Sequence, residues 1–403
     1  MVAVAGHDLG AGFIPRITAK SRPGVMEALG QSDLFTKADV SVPYVIAEAP
    51  LAIAYPHLGT SLASLQVKMI VDTQAWRFSD DRTWKSKWVR HPYAPRLPFN
   101  PTKQWVTGYV AGDLAHQVAV GGRCLMLPGW FSSIASVDLA TDVATWTIDA
   151  FRQFRRGGVI LPAIAWLPLH VNSSDASLAA ARVYAQSGTV KAIYGQLSRM
   201  DGLSEPSDEL IAAASLMLDV QSLGLPVIAG HMGAFGLVLR ALGIVAADCG
   251  PNSAQSFNHS ELISRSASQR PAKGGGIPVR MWVGELHQAV TAQQMAAIRA
   301  DRTALAEVLC RRPCHRFRPG PENLLAAVQH SALALIDEAE RHAGQAGPIR
   351  VDAARRTLLE ARSRITRVDQ AVRRSGAREL KRDHVDNQLA LLARFSHPHG
   401  AVS

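Results

Sequence analysis

The 403-residue sequence predicts an α/β protein built on a (β/α)8 TIM-type barrel with a C-terminal helical extension. Three observations carry this. From Lys68 onward, short apolar runs alternate with longer amphipathic stretches. Most of these runs end in a polar residue or a glycine, as parallel strands buried on both faces do. The stretch Gly224–Ala247 packs strand, helix and strand into one compact unit with glycine at both junctions. That compactness favours a closed sheet over an open doubly wound one.

Taken in order, residues 1–66 read as an irregular segment of short elements, punctuated by Pro15, Pro23, Pro43 and Pro56. The strands expected next are Met69–Asp72, Arg123–Leu127, Gly158–Ala165, Ala192–Leu197, Pro226–Ala229, Ile244–Asp248 and Val279–Gly284. Amphipathic periodicity places helices at Asp138–Arg155, Ser177–Ser187, Ser207–Ser222 and Ala234–Leu242. Arg77–Thr107 is a long insertion in which Trp84, Trp88 and Trp105 alternate with Arg82, Lys85, Lys87 and Lys103. Such a segment can stack on bases and neutralise phosphates, or it can lid the barrel mouth on a core of tryptophans. Beyond Asp301 the chain reads as helical, with helices at Asn323–His342 and over the Arg-rich Val351–Phe395. The arginines fit a solvated helix face or a phosphate-contacting one. The expected division is 1–66, a barrel over 67–345 with an insert around 310–330, and an extension over 346–403.

The formal charge of +10 speaks to partners rather than to fold, and nucleic acid is the expected partner. Four cysteines in 403 residues are too few for a secreted disulfide scaffold. The N-terminus lacks the pattern of a leader, and no apolar run of about 20 residues exists to cross a membrane. The expectation is a soluble cytoplasmic protein.

A carboxylate that ends a barrel strand points into the mouth where barrel enzymes do their chemistry. Asp72 ends Met69–Asp72 and Asp248 ends Ile244–Asp248. Either one alone fits a helix cap or an arginine partner. Two in one barrel point to a pair of catalytic carboxylates, one nucleophile and one acid/base. His231 also follows a strand, either lining the pocket or bonded to backbone. Cys310, Cys314 and His330 offer three zinc donors, with His315 or His342 as the fourth; two reduced surface cysteines are the alternative. Gly274-Gly275-Gly276 lacks a following Lys-Ser/Thr and reads as a turn rather than a phosphate loop.

In this order the pieces resemble the tRNA-guanine transglycosylase family over roughly residues 68–345. Pro226–Cys249 is similar to the family's strand, helix and strand ending in the nucleophilic aspartate, so Asp248 falls on that position. Val71–Phe78 resembles the family's Asp-Ser-Gly-Gly-Phe-Gln segment, with Asp72 on its aspartate and Gln74 and Ala75 in place of two glycines. Ile193–Leu197 resembles the Gly-Gly-Leu stretch that contacts the base. Cys310, Cys314, His315 and His330 resemble the zinc-binding insert, with Cys-x3-Cys-His in place of Cys-x-Cys-x2-Cys.

The resemblance implies exchange of guanine for a 7-deazaguanine through a covalent glycosyl intermediate on Asp248, with Asp72 assisting. Gln74, Gly195, Gln196, Leu197, Gly230 and His231 would bind substrate, and a structural zinc would sit in the insert. The eroded motifs fit the family's DNA-modifying branch better than its tRNA branch, and a homodimer is one expected assembly. Two other function classes are compatible with the residues. One is a barrel enzyme for a small phosphorylated metabolite, bound near Gly230–Gly233 at a helix start. The other is a non-catalytic nucleic-acid-binding relative.

Overall fold

The computed structural model describes residues 12–18, 21–30, 43–73, 100–130, 136–197, 200, 205–249, 280–309, 324–340 and 347–396. Gln74, Cys310, Cys314, His315, His342 and most of the tryptophan-rich insertion lie outside them.

Eight strands form one sheet: β1 (Phe13–Ile17), β2 (Tyr44–Glu48), β3 (Lys68–Asp72), β4 (Leu125–Leu127), β5 (Ala163–Leu169), β6 (Ala192–Leu197), β7 (Val227–Gly230) and β8 (Ala246–Cys249). Their order is β3-β2-β1-β8-β7-β6-β5-β4, and every laddered pair is parallel. The two ends of that order meet through a parallel bridge between Ile70 and Cys124. The sheet is therefore a nearly closed eight-stranded parallel barrel.

The β3–β4 seam is short, and a side chain completes it. Helix α4 follows α1 (Arg22–Gly30), α2 (Ala49–Ala54) and α3 (Leu58–Ser64), and spans Lys103–Ala119. Its Gln117 behaves like a piece of neighbouring strand. The amide oxygen accepts the Met126 N–H at 2.8 Å, and the amide nitrogen donates to the Met126 carbonyl at 2.7 Å. Two buried backbone groups are thereby satisfied, each of which would cost about 1–3 kcal/mol if left unpaired.

Alternation along the strands sorts the side chains. Ile14, Ile46, Ile70, Cys124, Met126, Ile164, Trp166, Tyr194, Ile228 and Ala246 fill the barrel interior. Ile193, Leu197, Val227, Ala229 and Ala247 face the helices. The Cys124 thiol is buried inside, and burial pushes it up to about 12, so it is an inert packing group.

The ring of helices continues with α5 (Val137–Arg156), α6 (Ser174–Ser187), α7 (Ser207–Ser222) and α8 (Gly233–Leu242). Ser136 caps α5 by accepting the Leu139 N–H, and Gly188 and Gly243 end α6 and α8 in the left-handed conformation. After β8 comes an antiparallel hairpin, β9 (Arg280–Val283) and β10 (Gln288–Thr291), then α9 (Ala292–Ala300) and α10 (Arg302–Val308). Helix α11 (Leu324–Glu340) then packs on α1, β1 and β9, closing the ring between the last strand and the first. The extension, α12 (Gly347–Arg374) and α13 (Asp383–Ser396), lies against α7, α8, α9 and α10.

Four expectations are corrected. The segment 1–66 is not irregular: it supplies β1 and β2. Pro15 and Arg16 interrupt the apolar pattern of β1, and a proline inside a central strand argues against strand on sequence grounds. The fifth strand starts at Ala163 rather than Gly158 and runs through Pro168. Val279–Gly284 contributes a strand, but to the hairpin and not to the barrel. The C-terminal stretch is two helices, broken around Gly376 at φ 74°.

Five arginines of α12 meet carboxylates of the same chain. Arg362 pairs with Asp386, Arg364 with Glu360, Arg367 with Glu307, Arg373 with Asp369 and Glu379, and Arg374 with Asp301. This is the pattern of a solvated helix face, and each such exposed pair contributes about 0–1 kcal/mol.

Candidate active site

At the C-terminal end of the barrel the interior turns from apolar to polar. Arg16 reaches inward from β1, Asp72 from β3, Tyr194 and Gln196 from β6, and Asp248 from β8. All five are essentially inaccessible to solvent. The two aspartates, 176 residues apart in sequence, meet on one guanidinium. Arg16 donates from Nη1 to Asp72 Oδ2 at 2.7 Å. It donates from Nε and Nη2 to Asp248 Oδ2 at 3.1 and 2.8 Å. Nη2 also contacts the Tyr194 hydroxyl at 2.7 Å, and that hydroxyl donates to Asp248 Oδ2 at 2.5 Å.

One oxygen of Asp248 thus takes three donors, while its Oδ1 has no partner among the described residues. Burial raises the Asp248 carboxyl above the usual range, and Arg16 and Tyr194 pull it back. Burial opposes the charge on Arg16 too, but Asp248, Tyr194 and Asp72 outweigh it and hold the guanidinium firmly protonated. Tyr194 is held well above its ordinary value by burial first, with Arg16 pulling it down and Asp248 and Asp72 pushing it up. It is a hydrogen-bond donor here.

Gln196 is oriented in the same way. Its carbonyl accepts the Trp166 indole N–H at 2.6 Å, so its amide N–H groups point elsewhere, and they have no partner among the described residues. A carboxylate oxygen and an amide nitrogen in one polar layer, both unpaired among the described residues, are an acceptor and a donor that a ligand can meet. Gly230 is glycine because Tyr194 needs the space. A Cβ there would lie 2.3 Å from the ring carbon Cζ and 2.4 Å from the hydroxyl. His231, next in the chain, is buried in the left-handed conformation at φ 57°. The turn that holds it is fixed where the Met232 N–H meets the Asp248 carbonyl at 3.3 Å.

The structure therefore brings Asp72, Asp248, Gln196 and Gly230 together, with His231 at the adjoining turn. It does not place the side chain of Leu197 with them: Leu197 faces the helices. Gly195 likewise has its open side outward, where a Cβ would lie 2.8 Å from Leu169. The two-residue period of β6 points the side chains of Tyr194 and Gln196 inward and that of Leu197 out, which leaves Gly195 only its backbone to offer the mouth. His330 is buried on α11, within reach of the charge on Glu285. Among the described residues no three His, Cys, Asp or Glu side chains are grouped to hold a metal.

The sequence reading missed Arg16, Tyr194 and a further carboxyl, Asp113 on α4. Arg16 had a signal, a cation in the middle of a short apolar run. Asp113 had one too, since Tyr109, Asp113 and Gln117 recur at helical spacing on one face of α4.

Comparison of the chain with protein-family models gives no match, and comparison with curated proteins gives no significant one.

Proposed function

We propose that this chain is a base-exchange transglycosylase. It replaces guanine in nucleic acid, DNA before tRNA, with a 7-deazaguanine through a covalent glycosyl intermediate on Asp248. The observation that carries this reading is the meeting of Asp72 and Asp248 on Arg16 at the barrel mouth, with Asp248 Oδ1 unpartnered among the described residues. Arg16 and Tyr194 anchor Oδ2 and orient the carboxylate. Oδ1 attacks the sugar C1′ as the bond from C1′ to the base nitrogen breaks. The electron pair leaves with guanine, and Asp72, contacting the base, assists the proton movement that neutralises it. The incoming base attacks C1′, the ester to Asp248 breaks, and Asp72 assists the loss of the proton that the new base gives up. A carboxylate suits C1′ because it stabilises positive charge there before bonding to it. Gln196 offers its amide N–H groups to a carbonyl oxygen of the base, and the target base must leave the stack to reach this depth.

A phosphorylated metabolite is less well served. The helix start at Gly230–Gly233 would have to hold its phosphate without Arg16, whose guanidinium is already engaged by Asp72, Asp248 and Tyr194. The reading includes a zinc held by Cys310, Cys314, His315 and His330. Two thiolates and two imidazoles are a donor set that tetrahedral zinc takes, and the metal would cross-link the insert to α11 without entering the chemistry.

The test is trapping. With guanine-containing DNA or tRNA and no incoming base, the wild-type protein is expected to form an adduct that survives denaturant. Asp248→Asn keeps the shape and loses the nucleophile, so it should form none. An adduct in the variant moves the nucleophile elsewhere, and binding without an adduct in the wild type supports the non-catalytic alternative.

A further inference from the structure

The polar layer at the barrel mouth holds an amide whose polarity is set by a neighbouring strand. Trp166 of β5 and Gln196 of β6 are both buried. The two strands pair so that Trp166 lies opposite Tyr194, and Pro168 opposite Gln196. The indole Nε1 donates to Gln196 Oε1 at 2.6 Å. An indole N–H can only donate, so the amide must face it with its oxygen and turn its nitrogen away. The indole is itself hemmed in. Gly129, just past β4, lies so close that a Cβ there would stand 2.5 Å from the ring carbon Cε3 and 2.6 Å from the Trp166 carbonyl oxygen. The Gln196 nitrogen is buried and has no hydrogen-bond partner among the described residues. A glutamine that served only to satisfy the indole would leave that donor stranded, at more cost than an apolar pair of the same shape.

We infer that Trp166 is a positioning residue that sets base specificity through Gln196: by occupying the amide oxygen it leaves the mouth a donor and no acceptor at this point, so a purine is taken with an oxygen at C6 and refused with an amino group there. The inference rests on the base-exchange reading for the ligand being a purine, not for the polarity of the amide. Left to itself, a glutamine amide turns about its last torsion between two nearly equal orientations, one offering N–H and the other C=O. Such an amide would serve an oxygen and an amino group alike. Guanine has a single carbonyl oxygen, O6, and 2,6-diaminopurine carries an amino group in its place. Against the held amide that amino group sets donor against donor and leaves both unpaired in a buried site. Binding should weaken by about tenfold to a hundredfold.

Trp166→Phe keeps a ring and deletes the N–H, and Gln196→Leu keeps the bulk and deletes the amide. Trp166→Met, flexible and also without the N–H, stands in if Trp166→Phe does not fold. The experiment titrates the full chain with guanine and with 2,6-diaminopurine by isothermal calorimetry, beside the trapping assay. The wild type should favour guanine by about tenfold or more. In Trp166→Phe the amide is released, so diaminopurine should bind more tightly and the ratio should fall towards one. In Gln196→Leu the ratio should fall because guanine binds more weakly. The two bases also differ in the proton at N1, but that difference is common to every variant and leaves the change in ratio to residue 196. A merely structural role would weaken both bases together and leave the ratio alone. The inference is overturned if the wild type binds neither base or does not favour guanine, or if either variant keeps the wild-type ratio. A wild-type adduct with an unchanged ratio in the variants leaves base exchange standing and overturns the inference alone. A ratio that shifts in both variants, with neither adduct nor exchange on DNA or tRNA, supports the inference and overturns the base-exchange reading instead.

Discussion

Replacing Arg16 with Met tests what holds the barrel mouth together. The side chain is fully buried, and it is the cation that both Asp72 and Asp248 contact. Met fills most of the same volume, so packing loss is small and the main effect is electrostatic. Removing one partner of a buried ion pair costs about 3–5 kcal/mol, because the other charge stays buried alone. At about 2.1 cal/mol/K of unfolding entropy per residue, a chain of this length loses about 1.2 °C of Tm per kcal/mol, or roughly 4–6 °C in all. The loss should depend on pH. The folded-state carboxyl of Asp248 already lies above its unfolded value, so its contribution is present at low pH and fades as pH rises through the folded value. Without Arg16 that folded value climbs further and the loss at high pH grows. Thermal denaturation followed by circular dichroism should show a deficit at pH 8 that shrinks markedly at pH 5. Adding Asp248→Asn to Arg16→Met should recover part of the pH 8 deficit. An equal deficit at both pH values, or none at pH 8, would refute the view that Arg16 neutralises buried carboxylates.

Gly230→Ala should drive Tyr194 off Asp248, since the new Cβ would lie 2.3 Å from its ring. Overpacking of this kind costs about 1–3 kcal/mol, and the adduct yield should fall as it does in Tyr194→Phe; unchanged Tm and yield would show that the ring has room to move. If zinc ties the insert to α11, metal analysis should find one zinc per chain, and Cys310→Ser with Cys314→Ser should lose it. Equal zinc content in the double variant and the wild type would exclude these ligands.

The barrel was legible from β3 to β8 because buried parallel strands leave a strong mark, an apolar run ended by a polar or glycine turn. β1 and β2 were not, because Pro15 and Arg16 break the first run and prolines flank the second. The same arginine that hid β1 is the centre of the candidate site. A functional cation in a strand spoils the pattern by which the strand is read. On β6 the segment Ile193–Leu197 is legible as a strand, but the resemblance puts Leu197 at the mouth, whereas the two-residue alternation turns its side chain to the helices.

What the sequence determined by itself is local and periodic: an alternating α/β chain, a carboxylate at the end of each of two strands, and a basic surface. These follow from hydropathy and charge read along the chain, the last of them as a net charge of +10 and not as a mapped surface. Only the tertiary structure decided that residues 16, 72, 194 and 248 share one hydrogen-bonded cluster. It alone placed Gln117 as the missing stretch of seam, with Asp113 accepting from the same amide. The reason is geometric. Closing the barrel sets β1 against β8 and β3 against β4, and the register of those pairings fixes which buried charges must answer one another.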